Sequence, residues 1–239
     1  MALPKLVTPE FETVIPSTKE PIKFRPFLVK EEKVLYMALE SGEEKDIYNA
    51  VMSILDSCVL TPNIDNTKYT SYDLEFLFLK LRSKSVGEKI DLSLSHMNKE
   101  YLDKCSNSTK VQVNIDDIQI EFNDKHNNTI EIEGGVGIKL RDPKTSMLFN
   151  TKKSKNEIEQ LLDIVCDCIE LFYDTDNVYE DFTKEEAREF IENLTKDNFE
   201  KIVEFFNTLP KLAHDITYTC PECNETETIK IEGMQSFFT

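Results

Sequence analysis

The strongest chemical signal in the sequence is a pair of cysteines, Cys220 and Cys223, in the pattern Cys-Pro-x-Cys. Apolar residues alternate with polar ones at 216–219 before the pair and at 228–232 after it. This pattern predicts two antiparallel strands joined by a tight knuckle, which is half of a zinc ribbon. A structural zinc ion takes four protein ligands. Because no second C-x-x-C pattern follows Cys223, the knuckle supplies only two of them.

The other two zinc ligands would have to come from elsewhere in the chain or from a partner chain. Within the sequence the candidates are Cys105, His96 and His214. The alternative is a knuckle that is stable without metal. A redox role is the weaker interpretation, because a thioredoxin-type C-x-x-C pair lies at the start of a helix, whereas a strand follows Cys223.

No other part of the sequence carries a catalytic pattern. Cys166 and Cys168 lie two residues apart in a predicted helix, so their side chains project about 200° apart and cannot bind one metal ion. The glycines at 134–137 lack the spacing of a dinucleotide-binding loop and indicate a turn. The three histidines lie in polar sequence surroundings without motif partners. We therefore predict that the protein is not an enzyme.

The composition narrows the class of protein further. Asp and Glu outnumber Lys and Arg by 45 to 28, for a formal net charge of −17, which argues against nucleic-acid binding by phosphate neutralisation. No apolar run is long enough to predict a membrane span. The N-terminal residues lack the apolar region of a signal peptide. The six cysteines are therefore expected to be thiols or metal ligands in a reducing compartment.

The acidic residues are concentrated in one segment. Positions 155–192 hold thirteen Asp or Glu and three Lys or Arg. The segment is either a solvated helical face or a docking surface for a basic partner.

Periodicity and capping residues divide the chain into elements. Two short β-like runs within 11–27 predict a hairpin. A helix from about Val29 to Ser41 should stop at Gly42, and a second, near 43–59, carries an apolar stripe that ends at Cys58 and indicates a buried core thiol. A third helix begins near Ser71 and is apolar nearly all round. Such a helix is either deeply buried or lies in an interface, and we favour burial.

The remainder of the chain changes from strands to helices. Alternation from Gly87 to about Leu140 predicts a β-rich section of at least four strands. A long helical apolar face then runs from Ile158 to Phe172. Three local signals mark helix ends: Thr183 opens a capping box, Thr195 is a predicted N-cap, and Pro210 ends the last helix.

Together these patterns predict an α+β protein in three segments. An N-terminal hairpin with helices occupies 1–86, a β-rich module occupies 87–150, and an acidic helical segment at 151–239 ends in the zinc-ribbon-like hairpin. A weak internal similarity relates 90–122 to 216–238, since both read as strand, knuckle and strand. If the two are related, the first has lost its metal capacity, because it lacks a C-x-x-C pattern.

The last residues of the chain include Met234, Phe237 and Phe238. Leaving such side chains in water forfeits roughly 1.5–3 kcal/mol each. We expect them to contact either the protein's own helix at 199–206 or a partner.

A set of segments, taken in order along the chain, carries a resemblance to a known protein family. The segments are Leu3–Leu6, Pro16–Lys19, Ile22–Glu32, Ser83–Ile90, Phe205–Pro210, Cys220–Cys223 and Gly233–Phe238. Through them the chain resembles the baseplate hub assembly proteins of T-even-type contractile-tailed bacteriophages over nearly its whole length. The resemblance implies a non-enzymatic role in building the baseplate hub through contacts with other hub or tail proteins. It also implies a site of action in the host cytoplasm during assembly or in the virion tail baseplate.

The rival interpretation belongs to another class, a cytosolic zinc-binding or redox regulatory protein of the host. Neighbouring genes that encode tail proteins would favour the phage interpretation over this one.

Overall fold

The computed structural model describes residues 7–62, 64–96, 105, 108–149 and 157–233. The chain forms both helices and small antiparallel sheets, so the α+β prediction is confirmed. The chain forms two compact units. Unit 1 comprises Met1–Asn66, Tyr72–Glu121 and Lys211–Thr239, and unit 2 comprises Thr67–Ser71 and Phe122–Pro210. Each unit combines segments that contact one another in space although they are distant in the sequence. The division into three consecutive segments stays a prediction.

Unit 1 begins with the predicted hairpin, in which strands β1 (Phe11–Val14) and β2 (Pro21–Phe24) pair antiparallel. Its turn is fixed to helix α3 (Ser71–Val86), because the backbone N–H and hydroxyl of Ser17 donate to the buried carboxylate of Asp73 at 3.0 and 2.5 Å. The hairpin is therefore held by side-chain bonds as well as by strand pairing.

Helices α1 (Val29–Ser41) and α2 (Glu44–Cys58) follow at the predicted positions. Gly42 ends α1 in the left-handed conformation at φ 68°, where its N–H bonds to the carbonyl of Leu39. Cys58, the last residue of α2, is fully buried. The predicted C-cap and core thiol are therefore confirmed.

The β-structure of unit 1 packs around one face of α3. Strands β3 and β4 form a hairpin, and β5, β10 and β11 form a three-stranded sheet in the order β11-β10-β5. Leu79 of α3 is buried with residues of these strands, which explains why α3 is apolar nearly all round. The strands are β3 (Lys89–Leu94), β4 (Thr109–Asn114), β5 (Gln119–Glu121), β10 (Lys211–Thr219) and β11 (Thr226–Glu232).

Unit 2 contains a four-stranded antiparallel sheet in the order β6-β7-β8-β9. The predicted glycine turn connects β6 to β7, with Gly134 and Gly135 at φ 66° and 79°. Gly137 begins β7 directly against Tyr173, where an added Cβ would lie 2.2 Å from the tyrosine ring. Glycine at position 137 therefore leaves the space that the tip of the Tyr173 ring occupies. The strands are β6 (Thr129–Glu131), β7 (Gly137–Leu140), β8 (Ile169–Tyr173) and β9 (Val178–Tyr179).

Two helices of unit 2 begin at local caps. Thr183 and Glu186 form the predicted capping box, and the Thr195 hydroxyl accepts the N–H of Asn198 as a predicted N-cap. Arg188 bonds to Asp163 at 3.0 Å and also to Glu159, so part of the acidic charge holds two helices together. The helices are α4 (Thr145–Phe149), α5 (Glu157–Cys168), α6 (Lys184–Glu192) and α7 (Lys196–Asn207).

One helix prediction is wrong at its end. The apolar face predicted to run from Ile158 to Phe172 stops at Cys168, and Ile169–Tyr173 forms strand β8. This segment is rich in β-branched and aromatic residues and pairs with Ile138 and its neighbours in β7. Pairing across the sheet decides between two conformations that the sequence permits.

Candidate metal centre

The Cys-Pro-x-Cys knuckle is a tight turn between β10 and β11. The strands pair from Ala213 with Glu232 to Thr219 with Thr226, which confirms the predicted antiparallel hairpin. The N–H of Cys220 donates to the carbonyl of Glu225, and the N–H of Asn224 donates to the carbonyl of Cys220, both at 2.9 Å. These bonds close the turn with both cysteines on the same side of it.

Four side chains meet at this knuckle. The ligand atoms of His96, Cys105, Cys220 and Cys223 all lie within 4.8 Å of one another. His96 follows β3, and Cys105 lies between β3 and β4, so each of two hairpins contributes two residues. The cluster can therefore hold a metal ion. Three sulfurs and one imidazole nitrogen match the ligand number and types of a structural zinc site.

The cluster is shielded from solvent. His96, Cys105 and Cys220 are buried, and Cys223 is half-buried. The polar neighbours of the His96 ring include Glu227, whose Oε2 lies 2.8 Å from Nδ1, and Cys223, whose Sγ lies 3.4 Å from Nε2. The side of the ring that carries Nε2 therefore faces the sulfurs.

The side chains of the cluster differ in their affinity for protons. Hydrogen bonds lower the pKa of the Cys220 thiol to about 6, with the largest contribution from the backbone N–H of Cys223 and further ones from Glu222 and His96. Burial raises the pKa of Cys105 to about 12, and hydrogen bonding to Cys223 and Cys220 acts in the same direction. The surroundings of Cys220 therefore favour a negative sulfur beside the protonated thiol of Cys105. A divalent cation would displace those protons.

The sequence named the candidate ligands but left the choice open. Two of the three candidates, Cys105 and His96, join Cys220 and Cys223 in the cluster. The third, His214, lies on β10 opposite Ile231 and is not among the four.

The first hairpin contributes to the cluster although it has no C-x-x-C pattern. It provides His96 and Cys105, and His96 is buried although its neighbours in the sequence are polar. The signal for His96 was its position two residues after an alternating strand, close to the place that Cys220 takes after β10.

The other three cysteines have a packing role. Cys58, Cys166 and Cys168 are buried and lie outside the cluster. Burial raises the pKa of Cys58 to about 11 and that of Cys168 to about 12, so both remain thiols at neutral pH.

Two further expectations concern the last residues of the chain and a membrane-spanning helix. Met234, Phe237 and Phe238 lie outside the described residues, so their contact with a helix or a partner stays a prediction. Within the described part of the chain, no helix combines the length and the apolar character needed to cross a membrane.

The chain is similar to a known protein family. A family model described as T4 bacteriophage base plate protein matches residues 8–239, nearly the entire chain. Searches of curated proteins and of solved structures found no match.

Proposed function

The chain belongs to the T4 bacteriophage base plate protein family, and from this premise we propose that it is a non-enzymatic component or assembly factor of the baseplate hub. It acts through contacts with other hub or tail proteins in the host cytoplasm during tail assembly. The family match over residues 8–239 carries the proposal. The resemblance to hub assembly proteins supports the more specific hub role.

We propose further that the cluster of His96, Cys105, Cys220 and Cys223 binds zinc as a structural ion. The donor set of three sulfurs and one imidazole fits zinc. Catalytic zinc sites use three protein ligands and keep a fourth position for water or substrate, whereas this cluster offers four. Zinc bound here would join the β3–β4 and β10–β11 hairpins and would stabilise unit 1.

The acidic residues at 157–192 favour a partner with a basic surface. Part of the charge at 157–192 is paired internally, since Arg188 contacts Asp163 and Glu192, and Lys184 contacts Asp167. Other acidic residues of the segment are exposed, and the whole chain carries −17. Such a surface attracts basic subunits over a distance that salt shortens. The exposed set includes Glu180, Asp181, Glu185 and Glu189.

The hub proposal is tested by affinity purification from infected cells. A tagged full-length chain expressed during infection should co-purify with baseplate hub or tail proteins, identified by mass spectrometry. Their presence in purified virions as well would indicate a subunit rather than an assembly factor that leaves. Co-purification with host regulatory proteins and without tail proteins would overturn the proposal and favour the zinc-binding or redox regulator.

The same assay tests the chain end. Deletion of 234–239 should reduce recovery of the partner without lowering the melting temperature if Met234, Phe237 and Phe238 contact the partner. Lost stability would instead indicate internal packing. If partner recovery and stability both stay at the wild-type level, the role proposed for these side chains is wrong.

The zinc proposal is tested by metal content. Freshly purified wild-type protein should contain one zinc ion per chain by inductively coupled plasma mass spectrometry. Cys223→Ser should lose most of it, whereas Cys58→Ala, which changes a buried thiol outside the cluster, should retain it. A wild-type protein that contains no zinc and does not take it up would refute the proposal.

A further inference from the structure

A carboxylate beside the metal centre is not one of its four ligands. Glu227 lies on β11, directly opposite Tyr218 on β10. Its Oε2 lies 2.8 Å from the Nδ1 of His96 and accepts the Tyr218 hydroxyl at 3.2 Å. His96 is 5% and Tyr218 6% exposed. The three side chains therefore form a shielded chain of contacts that leads from the sheet to the ligand cluster.

The chemistry of these contacts selects one form of the histidine. A neutral imidazole has one N–H donor and one nitrogen lone pair, and a carboxylate can only accept. The contact with Glu227 therefore places the hydrogen on Nδ1 of His96. When a metal ion takes the place of a proton in the cluster, the ring is neutral and its lone pair is on Nε2, which is the nitrogen 3.4 Å from the Sγ of Cys223. Metal-binding histidines in proteins are commonly held by such a carboxylate, which fixes the ring and its tautomer.

We propose that Glu227 is a positioning residue of the metal centre, which holds His96 with Nε2 directed at the metal, and that Tyr218 holds Glu227 in place. This inference rests on the zinc centre proposed above and adds two residues to it that do not bind the metal. The sequence indicates neither Glu227 nor Tyr218, because neither belongs to a spacing typical of metal ligands.

The register of the hairpin makes this arrangement specific. Tyr218 and Glu227 face each other because the strands pair from Ala213–Glu232 to Thr219–Thr226. A slip of one residue would move Glu227 to the other face of the sheet and away from His96. The geometry of the metal site thus depends on the correct pairing of β10 with β11.

The test is zinc affinity in the full-length protein, measured by competition with a chelator of known affinity. Glu227→Gln should weaken zinc binding by about 10–100-fold, and Tyr218→Phe should weaken it less. Glu225→Gln is the matched control, since it removes the same charge from an exposed residue two positions away. An affinity for Glu227→Gln equal to that of Glu225→Gln would overturn the inference.

A second measurement does not depend on a variant. In the zinc-loaded wild-type protein, ¹⁵N NMR of the histidine rings should show His96 protonated at Nδ1 and bound to metal at Nε2. Coordination through Nδ1 would contradict the inference even though zinc is bound. If the wild-type protein binds no zinc at all, the zinc proposal and this inference both fall, so the two failures are distinguishable.

Discussion

At the scale of single residues, surroundings rather than residue type decide what the cysteines and histidines do. Cys105 and Cys166 are both buried, yet of the two only Cys105 belongs to the cluster of four ligand residues. The same holds for His96 and His214, which were equal candidates in the sequence. The structure distinguishes them because the β3–β4 hairpin places His96 at the knuckle.

The two histidines provide a direct test of this distinction. His96→Ala should lower zinc affinity by at least about tenfold, since it leaves three ligands where a structural site needs four. His214→Ala should bind zinc like the wild-type protein, because His214 is outside the cluster. The measurement is competition with a chelator for each variant. Equal affinities for the two variants would contradict the assignment of the fourth ligand.

A pH prediction concerns Asp174 in the β8–β9 turn. The backbone N–H of Asp176, then the Tyr179 hydroxyl and the N–H of Asn177, lower the pKa of the Asp174 carboxyl. A depressed pKa stabilises the folded protein above the unfolded pKa of about 3.9, and this contribution is lost as pH falls through the folded value. Asp174→Asn should therefore lower the melting temperature at pH 7 more than at pH 3.

The control for Asp174 is Asp181→Asn, which removes a charge from an exposed residue in the same segment. Thermal scans of both variants at the two pH values provide the comparison. A melting-temperature difference for Asp174→Asn that is unchanged or larger at pH 3 would contradict the prediction.

At the scale of elements, the caps of the helices were predictable because they are local. Gly42, Thr183 and Thr195 each act within about four residues of themselves, so one window of sequence contains the whole interaction. Strand β8 was not predictable in this way. Its segment fits a helical face or a strand equally well until β7 provides a pairing edge.

The capping box of α6 yields a stability prediction. The Thr183 hydroxyl accepts the N–H of Glu186, and the Glu186 carboxylate accepts the N–H of Thr183 at 2.7 Å. Thr183→Ala should lower the free energy of unfolding by about 1 kcal/mol, within a range of about 0.5–2. Urea denaturation measures the change. Glu185→Gln, an exposed substitution in the same turn, should change it by less, and an equal loss in both variants would count against the cap.

Half of the metal centre was predictable for the same reason as the caps. The spacing of Cys220 and Cys223 is local, but His96 and Cys105 lie more than 100 residues earlier in the chain. They reach the knuckle because β4 leads into β5, and β5 pairs with the start of β10. No local pattern encodes that pairing, so the sequence could nominate the other ligands but not select them.

At the scale of the whole molecule, the two compact units should respond differently to metal removal. The proposed zinc lies in unit 1, whose sheet β11-β10-β5 holds the knuckle. Binding energy at a structural metal site is part of the folding energy of its surroundings. Unit 2 has its own core of β6–β8 and the helices that follow.

Hydrogen exchange after chelation tests this difference. Exchange in β10, β11 and the β3–β4 hairpin should accelerate by at least about tenfold, equal to about 1.4 kcal/mol of opening free energy. Strands β6–β9 should exchange at the same rate with and without chelator. The measurement is hydrogen–deuterium exchange with mass spectrometry. Equal acceleration in both units would show that the metal acts on the whole chain rather than on unit 1.

The separation of the four candidate ligands along the chain also sets the order of folding on the ribosome. Cys105 is synthesised about 120 residues before Cys223, which at 5–20 residues per second is a delay of roughly 6–24 s. During this interval the β3–β4 hairpin has only two of the four candidate ligands, and β5 lacks its partner β10. A nascent chain therefore cannot complete unit 1 before β10 and β11 have been synthesised. A fragment that stops before Cys220 lacks the knuckle, so loading with the proposed zinc would distinguish such fragments from chains that include it.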